Sequence, residues 1–128
     1  MILVLQTAAA DCQMSLVNGD AIVHKSWLAE RRLARDLLGQ LESFLHDNHS
    51  SFDQLTGLVV FRGPGSYTGL RIGVNVMNTL AYALALPIVG ETGESWREKG
   101  LIRLKKGEND HIVIPEYGSV PNITMPKK

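Results

Sequence analysis

Cysteine is almost missing from this sequence: Cys12 stands alone, so no disulfide can form within the chain, and a reducing compartment is its natural setting. Net charge is missing too, because 13 Lys and Arg balance 13 Asp and Glu, and nothing global points to a nucleic-acid or membrane surface as partner. No apolar run reaches the roughly 18 residues that a membrane-spanning helix needs. The opening MILVLQTAAAD carries no basic stretch ahead of its apolar run, so it does not read as a secretory leader. These absences lead to the expectation of a cytoplasmic protein with no membrane partner. No internal repeat is visible either. What is present is ordinary for a globular domain: 128 residues, 45% hydrophobic and 20% charged, enough for one modest core. The charge is uneven, with seven Lys/Arg against four Asp/Glu in residues 97–128. That stretch is either a solvated charged loop or a surface for RNA or an acidic protein.

The hydrophobic pattern predicts three short strands, Met1–Gln6, Cys12–Asn18 and Asp20–Lys25, with Asn18-Gly19 as a tight hairpin turn. Ser26 reads as the N-cap of a helix from Trp27 to about His46, whose apolar stripe is Ala34, Leu37, Leu38, Leu41 and Leu45. A polar loop, a strand at Leu58–Phe61, a second helix from Thr68 to Leu86 and a strand at Pro87–Gly90 follow. A helix joining these last two strands implies that they run parallel. Beyond Glu91 the chain turns charged, with short strands expected at Leu101–Lys105 and His111–Pro115 and an extended proline-containing end. The order gives an α/β fold: one ribonuclease H-like or actin-like ATPase lobe, with a mixed five-stranded sheet and two main helices.

The second helix is apolar nearly all round, with one narrow polar stripe of Arg71, Asn75, Asn78 and Tyr82. Left bare, Leu70, Val74, Met77 and Ala81 would form a costly exposed patch, so this flank is expected to borrow cover from a partner. Gly63-Pro64-Gly65-Ser66-Tyr67-Thr68-Gly69 precedes that helix and admits three readings. As a nucleotide cradle it lacks the Gly-Lys-Ser/Thr of a phosphate loop and has one residue too many between glycines for the dinucleotide fingerprint, and Pro64 removes a donor. Glu91, after the next strand, stands where a ribose-binding acid would lie. As a structural turn, its glycines supply backbone freedom and Thr68 or Ser66 caps the helix. As a recognition surface, it projects Tyr67 and Arg71.

The run from Gly63 through Leu70-Arg71-Ile72-Gly73-Val74 resembles the hallmark segment of the TsaB (YeaZ) family, and MILVLQTAAADCQMSLV is similar to that family's first hairpin. The resemblance covers about residues 1–92, and residues 93–128 are then a charged linker and tail in place of a second lobe. It implies an actin-like fold and a non-catalytic subunit of the machinery that places threonylcarbamoyladenosine beside the tRNA anticodon. Its implied partners are a TsaD-type catalytic subunit, a TsaE-type ATPase, a second copy when alone, and tRNA only indirectly. The implied interface is the first-lobe helices, here Tyr67, Leu70, Arg71, Val74, Asn75, Met77, Asn78, Ala81 and Tyr82. No cofactor, metal or catalytic residue is expected. Gln6 stands where the family commonly has Asp, and a neutral amide is a poor ligand for a hard cation. The alternative is a small nucleotide-binding enzyme using the Gly63–Gly69 loop. His46 with His49 as metal ligands, Asp11, Asp53 and Glu91 as acid–base groups, and Trp96 and Tyr117 as base-stacking rings are weaker candidates beside their plain structural roles.

Overall fold

A computed structural model describes residues 1–118; the expected Pro121–Thr124 end lies outside the described residues. Five strands, β1 (Ile2–Gln6), β2 (Asp11–Asn18), β3 (Ala21–Leu28), β4 (Gly57–Gly63) and β5 (Ile88–Thr92), form one sheet in the order β3-β2-β1-β4-β5. The β1–β2–β3 meander is antiparallel, whereas β1–β4 and β4–β5 are parallel. The mixed sheet expected from the sequence is therefore present. Asn18 pairs with Ala21, so the tight turn itself is Gly19-Asp20.

Helices α1 (Leu33–Asp47) and α2 (Tyr67–Leu84) cover one face of the sheet. Leu3, Leu5, Met14, Leu37, Leu41, Leu45, Leu58, Val74 and Met77 make the main core there. Helix α1 starts later than expected. Ser26 lies inside β3, where its partner is Gln13, and the ladder runs on to the Asp11–Leu28 pair. The alternating Val23, Lys25 and Trp27 suit a half-buried strand, and pairing along β2 overrides the capping signal of a lone serine. Leu33, Leu37, Leu41, Phe44 and Leu45 form the buried stripe of α1, while Ala34 and Leu38 are exposed.

The other face carries a third helix that the sequence reading missed. The strand expected at Leu101–Lys105 is the second half of α3 (Trp96–Lys105). Trp96, Gly100, Leu101 and Leu104 recur at helical spacing and lie on Val4, Val59 and Val89. A Cβ on Gly100 would stand 2.4 Å from Val59 Cγ1, so glycine lets α3 approach the sheet. The segment expected to be a charged linker thus supplies the second layer. Among the described residues no helix is long and apolar enough to cross a membrane.

Residues 109–118 run back along the sheet without forming the strand expected at His111–Pro115. They close the outer edge of β5 with two side chains and one backbone amide instead. Asn109 Oδ1 accepts from Ile88 N at 3.1 Å, Asp110 N donates to Ile88 O at 2.7 Å, and Asp110 Oδ2 accepts from Gly90 N at 2.9 Å. Arg103 Nη1 donates to Gly90 O at 3.2 Å. The outward backbone groups of Ile88 and Gly90 are all paired, whereas β3 ends the sheet on the other side with no neighbour among the described residues.

Candidate functional site

The loop between β4 and α2 is stitched to the turn after β1. Ser66 N donates to Ala8 O at 2.9 Å, and Thr7 Oγ1 donates to Gly69 O at 2.6 Å. Gly69 and Gly73 allow that contact: a Cβ on either would lie 2.1 Å from Thr7 O or 2.0 Å from Thr7 Oγ1, respectively. Ser66, not Thr68, caps α2 by accepting from Gly69 N at 3.4 Å. Two amides of the loop, those of Ser66 and Gly69, therefore have acceptors within the chain, which supports the structural-turn reading. Gly63 and Gly69 are buried, while Pro64, Gly65, Ser66, Tyr67 and Thr68 line an exposed shoulder. Gln6 belongs to the same knot, its Oε1 accepting from the amides of Ala8 and Ala9.

Asn78 apart, the expected interface residues divide into two sets. Leu70, Val74 and Met77 are wholly buried and Ala81 nearly so. They are core of this chain and not an open flank, which corrects the expectation that a partner covers them. The reason is geometric: with Gly69 and Gly73 on the same side, that flank settles directly on the sheet and needs no foreign cover. The outward set is Tyr67, Arg71, Asn75 and Tyr82, with Thr79 between them. Tyr82 is 91% exposed. Ile72, Val76 and Leu80 lie half-buried at the margin of the core.

Asn78, read as part of the polar stripe, is tied to the returning segment. Its Nδ2 donates to Val113 O at 3.0 Å, and its Oδ1 accepts from Val113 N at 2.9 Å. Glu116 N donates to Arg62 O at 2.6 Å, Arg62 Nη1 donates to Ile114 O at 3.2 Å, and the Tyr67 and Tyr117 rings lie 4.4 Å apart. Tyr117 is thus a packing partner of the helix start. Between α2 and this segment runs a groove of about 770 Å³ lined by Thr79, Tyr82, Ala85, Asn109, His111 and Ile112. The apolar run His111–Pro115 read as a strand, and only the preceding Asn-Asp pair, able to mimic backbone partners, hinted at an edge cap.

Glu91, a candidate ribose or acid–base group, pairs with Arg103 at 3.0 Å and Lys99 at 3.6 Å. Arg103 also engages Glu108 at 2.7 Å and Asp110. Hydrogen bonds to Asp110 and Glu108 push the guanidinium further up its already high range. Burial alone would raise the Asp110 carboxyl, but the bonds from Arg103 and the Gly90 amide outweigh it and hold that carboxyl below its ordinary value. Cys12 is buried, and its thiol is pushed up first by burial and then by neighbouring Asp11. Trp96 is a packing residue, edge-on to Phe61 at 5.4 Å. Among the described residues no three His, Cys, Asp or Glu side chains gather to hold a metal ion.

Comparison with known proteins agrees with this architecture. The family model described as TsaD, tRNA N6-adenosine threonylcarbamoyltransferase, matches residues 27–92. The chain is 29% identical over 109 residues to the tRNA threonylcarbamoyladenosine biosynthesis protein TsaB of Escherichia coli strain K12, covering 80% of this chain and 47% of that protein. The protein of the same name from Bacillus subtilis strain 168 is 34% identical over 89 residues, covering 68% and 38%. Among solved structures, YeaZ from Pseudomonas aeruginosa superposes with a TM-score of 0.68 at 26% identity, over 77% of this chain and 49% of that one. The chain spans about half the length of the curated relatives it matches.

Proposed function

We propose that this chain, which belongs to the TsaB (YeaZ) family, acts as a non-catalytic scaffold in making threonylcarbamoyladenosine in tRNA, docking a TsaD-type catalytic subunit. The outward stripe of α2 is the docking surface, with Arg71, Asn75 and Tyr82 in place of the buried flank. The observation that carries this reading is Tyr82, an aromatic ring 91% exposed on the outward stripe of α2, beside an open groove. Exposed aromatic and arginine side chains around a groove are the residue types on which interfaces concentrate their binding energy. The non-catalytic assignment draws support from the glycine loop, two of whose amides find acceptors within the chain, and from Gln6, whose side-chain carbonyl accepts from Ala8 and Ala9.

The test is co-purification with a TsaD homologue from the same organism. The wild-type chain forms the complex, and the double substitution Arg71→Glu/Tyr82→Glu abolishes it while the circular dichroism spectrum and unfolding midpoint stay unchanged. A complex that survives both substitutions refutes this face. Tight calorimetric binding of ATP, ADP or NAD to the isolated chain would instead favour the nucleotide-binding alternative.

A further inference from the structure

Arg97, in the first turn of α3, is held in place by an aromatic ring and an amide and not by a carboxylate. Its guanidinium sits over the Trp96 ring, 5.0 Å from the centroid, and Nη2 donates to Gln13 Oε1 at 2.6 Å. Nε is closed off from solvent and meets no acceptor. No carboxylate pairs with Arg97 among the described residues, whereas Arg103, on the same helix, engages three. A rigid, oriented guanidinium without its anion has the form of a binding group and not of a structural one.

What surrounds it consists of donors. A cleft of about 390 Å³ is lined by Gln13, His24, Ser26 and Arg97, with Met14 and Lys25 contributing where strand alternation turns their side chains to the opposite face. Gln13 pairs with Ser26 and Ser15 with His24 across β2 and β3, so these four share the α3 side of the sheet. Because Gln13 Oε1 is occupied by Arg97, its amide NH2 is the group left to face a ligand. Because Ser15 Oγ, itself buried, meets His24 Nδ1 at 2.7 Å, the ring offers Nε2, a donor when Ser15 donates. Ser26 adds a hydroxyl. No acidic side chain lines the cleft.

We propose that this cleft binds one phosphate group, with Arg97 as the charge partner and Gln13, His24 and Ser26 as further donors. The site lies on the face of the sheet opposite α2 and does not depend on the docking reading. A free phosphate and a phosphodiester of an RNA backbone present the same oxygens, and the experiment separates them.

The Nε–H resonance of Arg97 is followed in the full 15N-labelled chain during titration with sodium phosphate, against sodium chloride at equal ionic strength. A parallel titration uses a short single-stranded RNA. Saturable shifts with phosphate but not chloride support the site; a tighter response to RNA identifies the phosphodiester as its source, and a response to phosphate alone identifies the free anion. Gln13→Glu places a carboxylate on Arg97 and should weaken either ligand about tenfold or more without lowering the unfolding midpoint. Arg97→Lys, which keeps the charge but loses the planar fork, should also weaken binding. No saturable response to either ligand, or equal binding by Gln13→Glu and the wild type, overturns the proposal.

Discussion

The side chain of Asn78 bonds the backbone of Val113 in both directions, donating through Nδ2 and accepting through Oδ1 at 3.0 and 2.9 Å. It gives the returning segment the pair of bonds that a neighbouring strand would have given. Asn78→Asp keeps the acceptor but sets a carboxylate oxygen against the Val113 carbonyl. We expect it to destabilise the fold by roughly 1–3 kcal/mol in urea unfolding, with Asn78→Leu costing a similar amount.

Gly73 and Thr7 form a second such relationship, because a Cβ at 73 would lie 2.0 Å from Thr7 Oγ1. Gly73→Ala should destabilise by about 1–3 kcal/mol as α2 is pushed from the sheet. Thr7→Ala alone loses the bond to Gly69 O. The two changes together should cost less than their sum, since the second removes the obstacle met by the first, and a double-mutant cycle measures that difference.

The Asp110 carboxyl makes stability depend on acid. Its folded pKa is below the ordinary 3.8, so its contribution is complete above that unfolded value. It is lost as the pH falls through the lower folded value. Asp110→Asn should therefore lower the unfolding midpoint at neutral pH, and the gap from wild type should shrink once the pH drops below about 4. A gap that stays constant across this window would show that Asp110 acts only as a shape.

Cys12 carries the opposite sign. Its thiol is pushed up, so the fold favours the protonated form; that contribution is whole below the unfolded thiol's pKa and fades as the pH rises through the folded one. With the side chain fully buried, a thiol-reactive dye at mildly alkaline pH should label the native chain far more slowly than the urea-unfolded chain. Destabilising substitutions such as Gly73→Ala should speed that labelling.

The meander and the β4–α2–β5 unit were legible from their hydrophobic periods, and the α1 stripe only at Leu37, Leu41 and Leu45, since Ala34 and Leu38 face out and Leu33 and Phe44 face in. The α1 boundary was not, since Ser26 satisfies a local capping rule while Val23, Lys25 and Trp27 answer to pairing with β2. Helix α3 carried its signal in Trp96, Gly100, Leu101 and Leu104, but intervening charges masked so short a stripe. The buried flank of the candidate site was misread for a related reason. An apolar flank looks the same in sequence whether a partner or its own sheet covers it, and only the glycines at 69 and 73 marked the side that sits down on the sheet. Glu91, Asn78 and Tyr117 are polar or aromatic residues whose tasks depend on segments far away in the chain, which no local pattern records.

The two margins of the sheet are unequal. At β5 every outward hydrogen-bonding group of Ile88 and Gly90 is already taken by Asn109, Asp110 and Arg103, whereas β3 presents an unmatched ladder beside exposed Ile22, Val23 and Leu28. Among the described residues, the hairpin side is therefore the edge open to an added strand. Once a second copy has paired there in antiparallel register, both open margins are consumed, and growth stops at two instead of running on as a fibre.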